Sequence, residues 1–276
     1  MNRLIFFAMV LMLIAPNAYS VNYRQLNFGL FEAARDGNTQ EVQALLKGGA
    51  SVKARNRFGN TGLIYAARGG HTEAVEILLK HGSAPDQPNL NGNTPLLEAA
   101  KKGSIELVKM FIALGANVDQ KNTRDITPLT EAVYRGHTEV VDVLLKHDAK
   151  MVTDNSGKSP LIYAAAQGNT EILKLLLSST SDINQKFEND LDTLMWAAGY
   201  GQKETAALLL DNGASPNQQD NRGRTALMMA AQGGHLTVVE LLLIRSADKQ
   251  IQDSSGKTAI EIAQAAGQTE IVKILQ

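Results

Sequence analysis

Apolar positions along this chain alternate between two patterns. A stretch reading L-x-x-A-A-x-x-G is followed by one reading V-x-x-L-L, and a polar turn such as Asn91-Gly92-Asn93 leads back to the first. Both patterns have the spacing of a helix with one buried face, so each cycle predicts two helices and a turn. The glycines that close the first stretch are Gly37, Gly70, Gly103, Gly136, Gly168, Gly201, Gly234 and Gly267. They lie 33 residues apart, except for 32 between Gly136 and Gly168. A fixed period of this size marks stacked repeats. Thr94 is placed to cap a first helix and Pro95 to start it without losing a donor. Second helices are expected to start at Asn38, Ser104, Asn169 or a histidine. Glu73, Glu106, Glu139, Glu171, Glu204 and Glu270 stand two positions on, opposing the positive end of the helix dipole.

Thr94-Pro95-Leu96, Thr127-Pro128-Leu129 and Ser159-Pro160-Leu161 open first helices, and Gly70-His71, Gly136-His137 and Gly234-His235 follow them. In these residues and in its period the chain resembles the ankyrin repeat, over roughly residues 27–276. The resemblance implies an all-α fold, an ankyrin-repeat solenoid of about eight helix-turn-helix units with hairpin-like turns. The units fall near 27–59, 60–92, 93–125, 126–157, 158–190, 191–223, 224–256 and 257–276, within a repeat domain at 21–276. With helices about 8–10 Å apart such an array would run on the order of 70–80 Å. Each repeat would touch only its neighbours.

Several residues depart from that pattern. The family's usual histidine after T-P-L is replaced by Phe31, Ile64, Leu97, Thr130, Ile162, Met195, Met228 and Glu261, so a hydrogen-bonded tie across the turn is expected to be lost. Phe28-Gly29 in the first repeat and Gln264 in the last read as end caps. Asp148 stands in for a helix-ending glycine, Asp125 and Asp190 for turn glycines, and the Ser-Ser-Thr-Ser stretch at 178–181 for another helix ending. Repeats 4–6 are therefore the expected weak joint.

Composition narrows the reading further. The net charge is −1, or −2 once Arg3 leaves with a leader, which lacks the basic excess of a nucleic-acid binder. The absence of cysteine excludes disulfides, cysteine metal sites and thiol catalysis. Residues 1–20 read as a signal peptide: Arg3, an apolar run at 4–15, Pro16, then Ala18-Tyr19-Ser20 before cleavage at Val21. That run falls short of the roughly twenty residues a membrane helix needs; an uncleaved anchor is the alternative. Export without cysteine or any N-x-S/T acceptor fits the periplasm of a Gram-negative bacterium, with onward secretion as the other destination. No membrane insertion is expected after cleavage, and the expected state is a monomer.

His71, His137 and His235 recur at one repeat position with no acidic partner at ligand spacing. A helix-start role is expected for them, and no metal, cofactor or catalytic set. No G-x-S-x-G or phosphate-cradling loop is present, so the chain is read as a non-enzyme. What remains is a surface. In ankyrin-like proteins partners bind the concave side, made of turn tips and exposed first-helix positions. Carried over, those positions hold Arg57, Phe58, Tyr65, Arg68, Lys101 and Lys102, then Arg124, Tyr134, Arg135 and Arg222. With Arg35, Lys158, Arg224 and Lys257 they make eleven basic residues against Asp36 and Glu188, leaving excess acid for the opposite face. The bland alternative is that solvated Lys and Arg are common at such positions. Five residues before the helix-ending glycine stand Glu98 and Glu131, then Tyr163, Trp196 and Met229, with Tyr200 one turn beyond Trp196. This strip is either a binding anchor or filling between first helices. The expected partner is another protein, bound by an accessory or immunity-type factor in the periplasm or by a secreted effector acting on host proteins.

Overall fold

The structure is a computed structural model that describes residues 22–179 and 182–276. The expected signal peptide and two residues of the serine-rich stretch lie outside these. Among the described residues sixteen α-helices form eight helix-turn-helix pairs, with one short 3-10 turn at Glu188–Asp190 and no strand. The expected all-α repeat architecture is thus present. No described helix is long and apolar enough to cross a membrane.

The chain divides into two compact units, Met1–Thr123 and Arg124–Gln276. The first unit holds α1 (Tyr23–Asp36), α2 (Thr39–Lys47), α3 (Gly62–Gly69), α4 (Thr72–Lys80), α5 (Pro95–Lys102) and α6 (Ile105–Ala113). Within it α1, α3 and α5 pack side by side, and α2 lies against α4. The second holds α7 (Pro128–Arg135), α8 (Thr138–Lys146), α9 (Pro160–Gln167), α10 (Thr170–Leu177), α11 (Thr193–Gly199) and α12 (Lys203–Asp211). It continues with α13 (Ala226–Gly233), α14 (Leu236–Ile244), α15 (Ala259–Ala265) and α16 (Thr269–Leu275). Its odd-numbered helices form one row and its even-numbered helices another.

Small residues set the packing in both units. Ala33-Ala34, Ala66-Ala67 and Ala99-Ala100 in the first, and Ala164-Ala165, Ala197-Ala198 and Ala230-Ala231 in the second, are fully or almost fully buried. Leucines and valines of the second helices, such as Leu78 and Leu144, complete the core. Each first helix is capped as its residues dictate. Thr61, Thr94, Thr127, Ser159, Asp192 and Thr225 accept the amide of the third helical residue, satisfying a donor that the helix leaves open.

The histidines take their expected places at helix starts and make a further contact. His71 and His235 stand at second-helix starts but make no cap hydrogen bond. Their rings reach back to the preceding repeat, where Nε2 donates to the Arg35 carbonyl at 2.9 Å and to the Gly199 carbonyl at 3.0 Å. Gln202 makes the same link to Ala166 at 3.1 Å. Gly37 and Gly201 are needed twice over. Each has a left-handed φ, of 71° and 73°, and a Cβ there would collide with the His71 or His235 ring.

The turns are also tied in an unexpected way. The positions that lack the family histidine are mostly core: Ile64, Leu97, Met195 and Met228 are buried. An Asn or Asp at the turn's start supplies the tie instead. Asn56 Oδ1 accepts from Phe58 N and Asn60 N, and Asn89 Oδ1 from Asn91 N and Asn93 N. Asp154, Asp220 and Asp253 repeat the arrangement. Asp125, Asp148 and Asp190 adopt left-handed φ values of 57°, 60° and 59°, the conformation of the glycines they replace. One turn departs from the rest. Phe187 occupies the tie position, and Asn189 and Asp190 are both left-handed.

Two outcomes follow from this second unit. Backbone amides at 187–191 should exchange with deuterium faster than those at 154–158 and 220–224, whose turns carry the carboxylate tie; equal protection would refute the assignment. Burial pushes the Asp192 carboxyl up from 3.8 to about 6. A carboxyl raised on folding favours the native state at low pH, and that stability is lost as pH rises through about 4 to 6. Asp192→Thr keeps the cap and removes the buried charge. It should gain on the order of 2 kcal/mol at pH 7 and little near pH 4, read by thermal melts at both pH values.

Candidate functional site

The second unit brings most of the strip together. Tyr163 and Trp196 sit at equivalent positions of α9 and α11, and both are half-buried. Lys158 reaches up from the preceding turn with its Nζ 5.9 Å from the Tyr163 ring centre and 5.3 Å from that of Trp196. Tyr200 stacks on Trp196 at 5.9 Å with planes 19° apart, and is 57% exposed. On the other side Tyr134 meets Tyr163 edge to face at 5.4 Å, and the Arg135 guanidinium lies 5.6 Å from the Tyr134 ring. Met229 follows at the next position of α13, half-buried like Trp196.

Polar contacts hold this strip in place. The Tyr163 hydroxyl donates to Asp154 Oδ2 at 2.6 Å. Burial, then this bond, pushes the Tyr163 phenol up to about 12. Burial alone would raise Asp154, but bonds from Tyr163, Ser156 and Lys158 N outweigh it and hold the carboxyl below its usual range. Asp154 therefore ties its turn and orients the aromatic ring through one carboxylate. Trp196 Nε1 is buried and without a hydrogen-bond partner among the described residues, a defect worth on the order of 1–3 kcal/mol. The ring is thus part filler, as the bland reading held, and part surface.

The basic residues prove less available than their sequence positions imply. Arg68 makes two hydrogen bonds to Glu98, at 3.1 and 2.8 Å, and Glu98 is 1% exposed. Asn93 adds a third at 2.9 Å. The bond to Glu98 is the main reason the Arg68 pKa is raised, ahead of the opposing effect of burial. Arg135 lies 3.7 Å from buried Glu131, and Arg224 pairs with buried Asp220. Arg35 contacts Glu32 and Asp36. Lys102 lays its stem over Gly70. Lys101 is half-buried, and Arg124 and Arg222 are exposed at turn tips of the second unit. Exposed acids do stand on second helices, among them Glu73, Glu106, Glu171, Glu204 and Glu240.

In the first unit Arg57, Phe58 and Tyr65 lie along an open groove of ≈ 960 Å³ between the start of α1 and the turn before α3. Phe31 and Tyr65 form its floor with ring centres 6.0 Å apart. Phe28 and Phe58 stand on its rim, 58% and 51% exposed. Arg57 lies 4.7 Å from the Phe58 ring centre. Phe28, Arg24 and Arg55 also line it; from sequence Phe28 reads only as part of an end cap, and the two arginines carry no assignment. The available signal was Phe28 itself, an aromatic where other repeats put a small cap.

Two substitutions separate structural from exposed roles. Arg68→Met leaves Glu98 buried without its cation and should cost about 3 kcal/mol in denaturant unfolding; a cost below about 1 kcal/mol would show Glu98 is satisfied without it. In a spectroscopic pH titration the Tyr163 phenol should ionise near pH 12, above its ordinary value of 10.0. Asp154→Asn should bring that step to lower pH.

Comparison with known proteins fits this architecture. The family model described as ankyrin repeats (3 copies) matches residues 30–122, 97–187 and 194–276. A search of curated proteins finds no significant match. Ankyrin repeats in general mediate contacts between proteins and are non-enzymatic. With its repeat architecture and family-model matches along most of its length, this chain belongs to the ankyrin-repeat family.

Proposed function

We propose that this protein is a non-enzymatic module that holds one protein partner against the aromatic strip of its second unit. The observation that carries the reading is Trp196, the chain's one tryptophan, half-buried beneath exposed Tyr200 with a lysine amine over its ring. Aromatic anchors set in a partly desolvated patch concentrate binding energy, often 2 kcal/mol or more each. Tyr134 and Arg135 extend the same surface, and the acids beside it, Glu131 and Asp154, are both buried.

The cellular role we infer is that of a periplasmic accessory or immunity-type factor. The leader-like residues 1–20 support export, and a chain without cysteine or glycosylation acceptors is suited to a bacterial envelope. The second reading, a secreted effector that binds host proteins, draws on the same leader. Fractionation separates them: protein confined to culture supernatant or host cells favours the effector, and protein released by osmotic shock favours periplasmic residence.

The binding reading has a direct test. Trp196→Ala should weaken a partner captured from periplasmic extract at least tenfold, about 1.4 kcal/mol, in a calorimetric titration, with the array still folded. Trp196 emission in the unaltered protein should shift on binding. Unchanged affinity together with a large loss of thermal stability would assign the ring to the core.

A further inference from the structure

We propose that the groove of the first unit is a second binding site, whose occupant is an extended acidic peptide of a partner protein carrying a large apolar side chain. The proposal rests on reading the chain as a protein-binding module, but on different residues from the aromatic strip. Two observations combine. The first is charge. Arg24, Arg55 and Arg57 line the groove, and no Asp or Glu is among the described residues that line it. Five arginines elsewhere, Arg35, Arg68, Arg135, Arg224 and Arg245, each lie against a carboxylate. Arg55 spends its hydrogen bonds on the carbonyls of Gly59 and Pro88, which fix its position and leave its charge whole. The groove also receives the N-terminal end of α1, a helix of 14 residues with no acid in its first turn, so the helix dipole adds to the positive field.

The second observation is exposed aromatic surface beside those charges. Phe28 and Phe58 are both more than half exposed and both line the groove, together with Phe31 and Tyr65, whose ring centres lie 6.0 Å apart. A phenyl or branched aliphatic side chain suits this aromatic lining, and flanking carboxylates suit its arginines. Asn56 Nδ2 donates to the Tyr65 hydroxyl at 2.8 Å, which leaves that hydroxyl's own hydrogen to donate to a peptide carbonyl. Guanidinium groups suit carboxylates because their planar fork matches the two oxygens. Arginines and aromatics also suit single-stranded nucleic acid, but the chain's net charge of −1 opposes a polyphosphate, whereas a short acidic peptide feels chiefly the local field.

The test uses the full chain and short fluorescent peptides in anisotropy titrations. One peptide is acidic with a central phenylalanine, one has that phenylalanine replaced by alanine, and one has lysines for the acids. The first should bind at least tenfold more tightly than either control, and its affinity should fall as salt is raised. Arg57→Glu and Phe58→Ala change exposed side chains, so the array should keep its circular dichroism and melting temperature. Each should weaken the acidic peptide at least tenfold, while Trp196→Ala leaves it unchanged. No binding of any peptide, equal binding of the lysine peptide, or tighter binding of an oligothymidylate would overturn the proposal. A loss caused by Trp196→Ala instead would place the peptide on the strip and leave only the module reading standing.

Discussion

Neighbouring first helices in each unit are held close by paired alanines, and the rest of the molecule is arranged around that short separation. Ala66-Ala67 and Ala197-Ala198 have no exposed surface, so the space between helices is filled by methyl groups and backbone. Interiors packed at that density leave no room for a larger side chain. Beside that contact, five residues before the closing glycine, first helices carry further bulk. Tyr65, Tyr163, Trp196 and Met229 all stand there, each half-buried. Close approach of small residues produces the surface as well as the core.

The polar framework follows from the same separation. Helices that lie this close bring a second-helix start within reach of the preceding repeat's helix end. His71, Gln202 and His235 use that reach to satisfy carbonyls that a helix C-terminus leaves open. The turn carboxylates act on the other edge. Asp154 accepts two amides of its own turn and the Tyr163 hydroxyl, so the order of a loop and the aim of an aromatic ring depend on one side chain.

How much of this is legible in the sequence depends on the range of each interaction. The period, the helix pairs and the glycine positions are matters of local spacing, and they are visible without coordinates. Asp125, Asp148 and Asp190 show as irregularities where glycines belong, and from sequence they point to a weak joint in repeats 4–6. The carboxylates tolerate the left-handed conformation instead, so the turns persist. The tie residues Asn56, Asn89 and Asp220 were in plain view as an Asn or Asp three residues before a glycine. Pairings across repeats are the part the sequence conceals. Arg68 and Glu98 are thirty residues apart, and nothing in either residue announces that the exposed cation belongs to a buried acid.

Most successive turn tips within each unit are joined through main-chain atoms. Leu90 N donates to Phe58 O and Thr123 N to Asn91 O in the first unit. In the second, Asn155 N donates to Arg124 O, Asn221 N to Asn189 O and Ser254 N to Arg222 O. These bonds ask only for an amide and a carbonyl, so they constrain the backbone and are indifferent to the residues that make them. Exposed side chains at the tips, such as Phe58, Leu90 and Arg222, are thereby released from the task of holding the array together. Selection can rewrite them one at a time, and an engineer can graft them between repeats, altering what the protein recognises while its architecture stays in place.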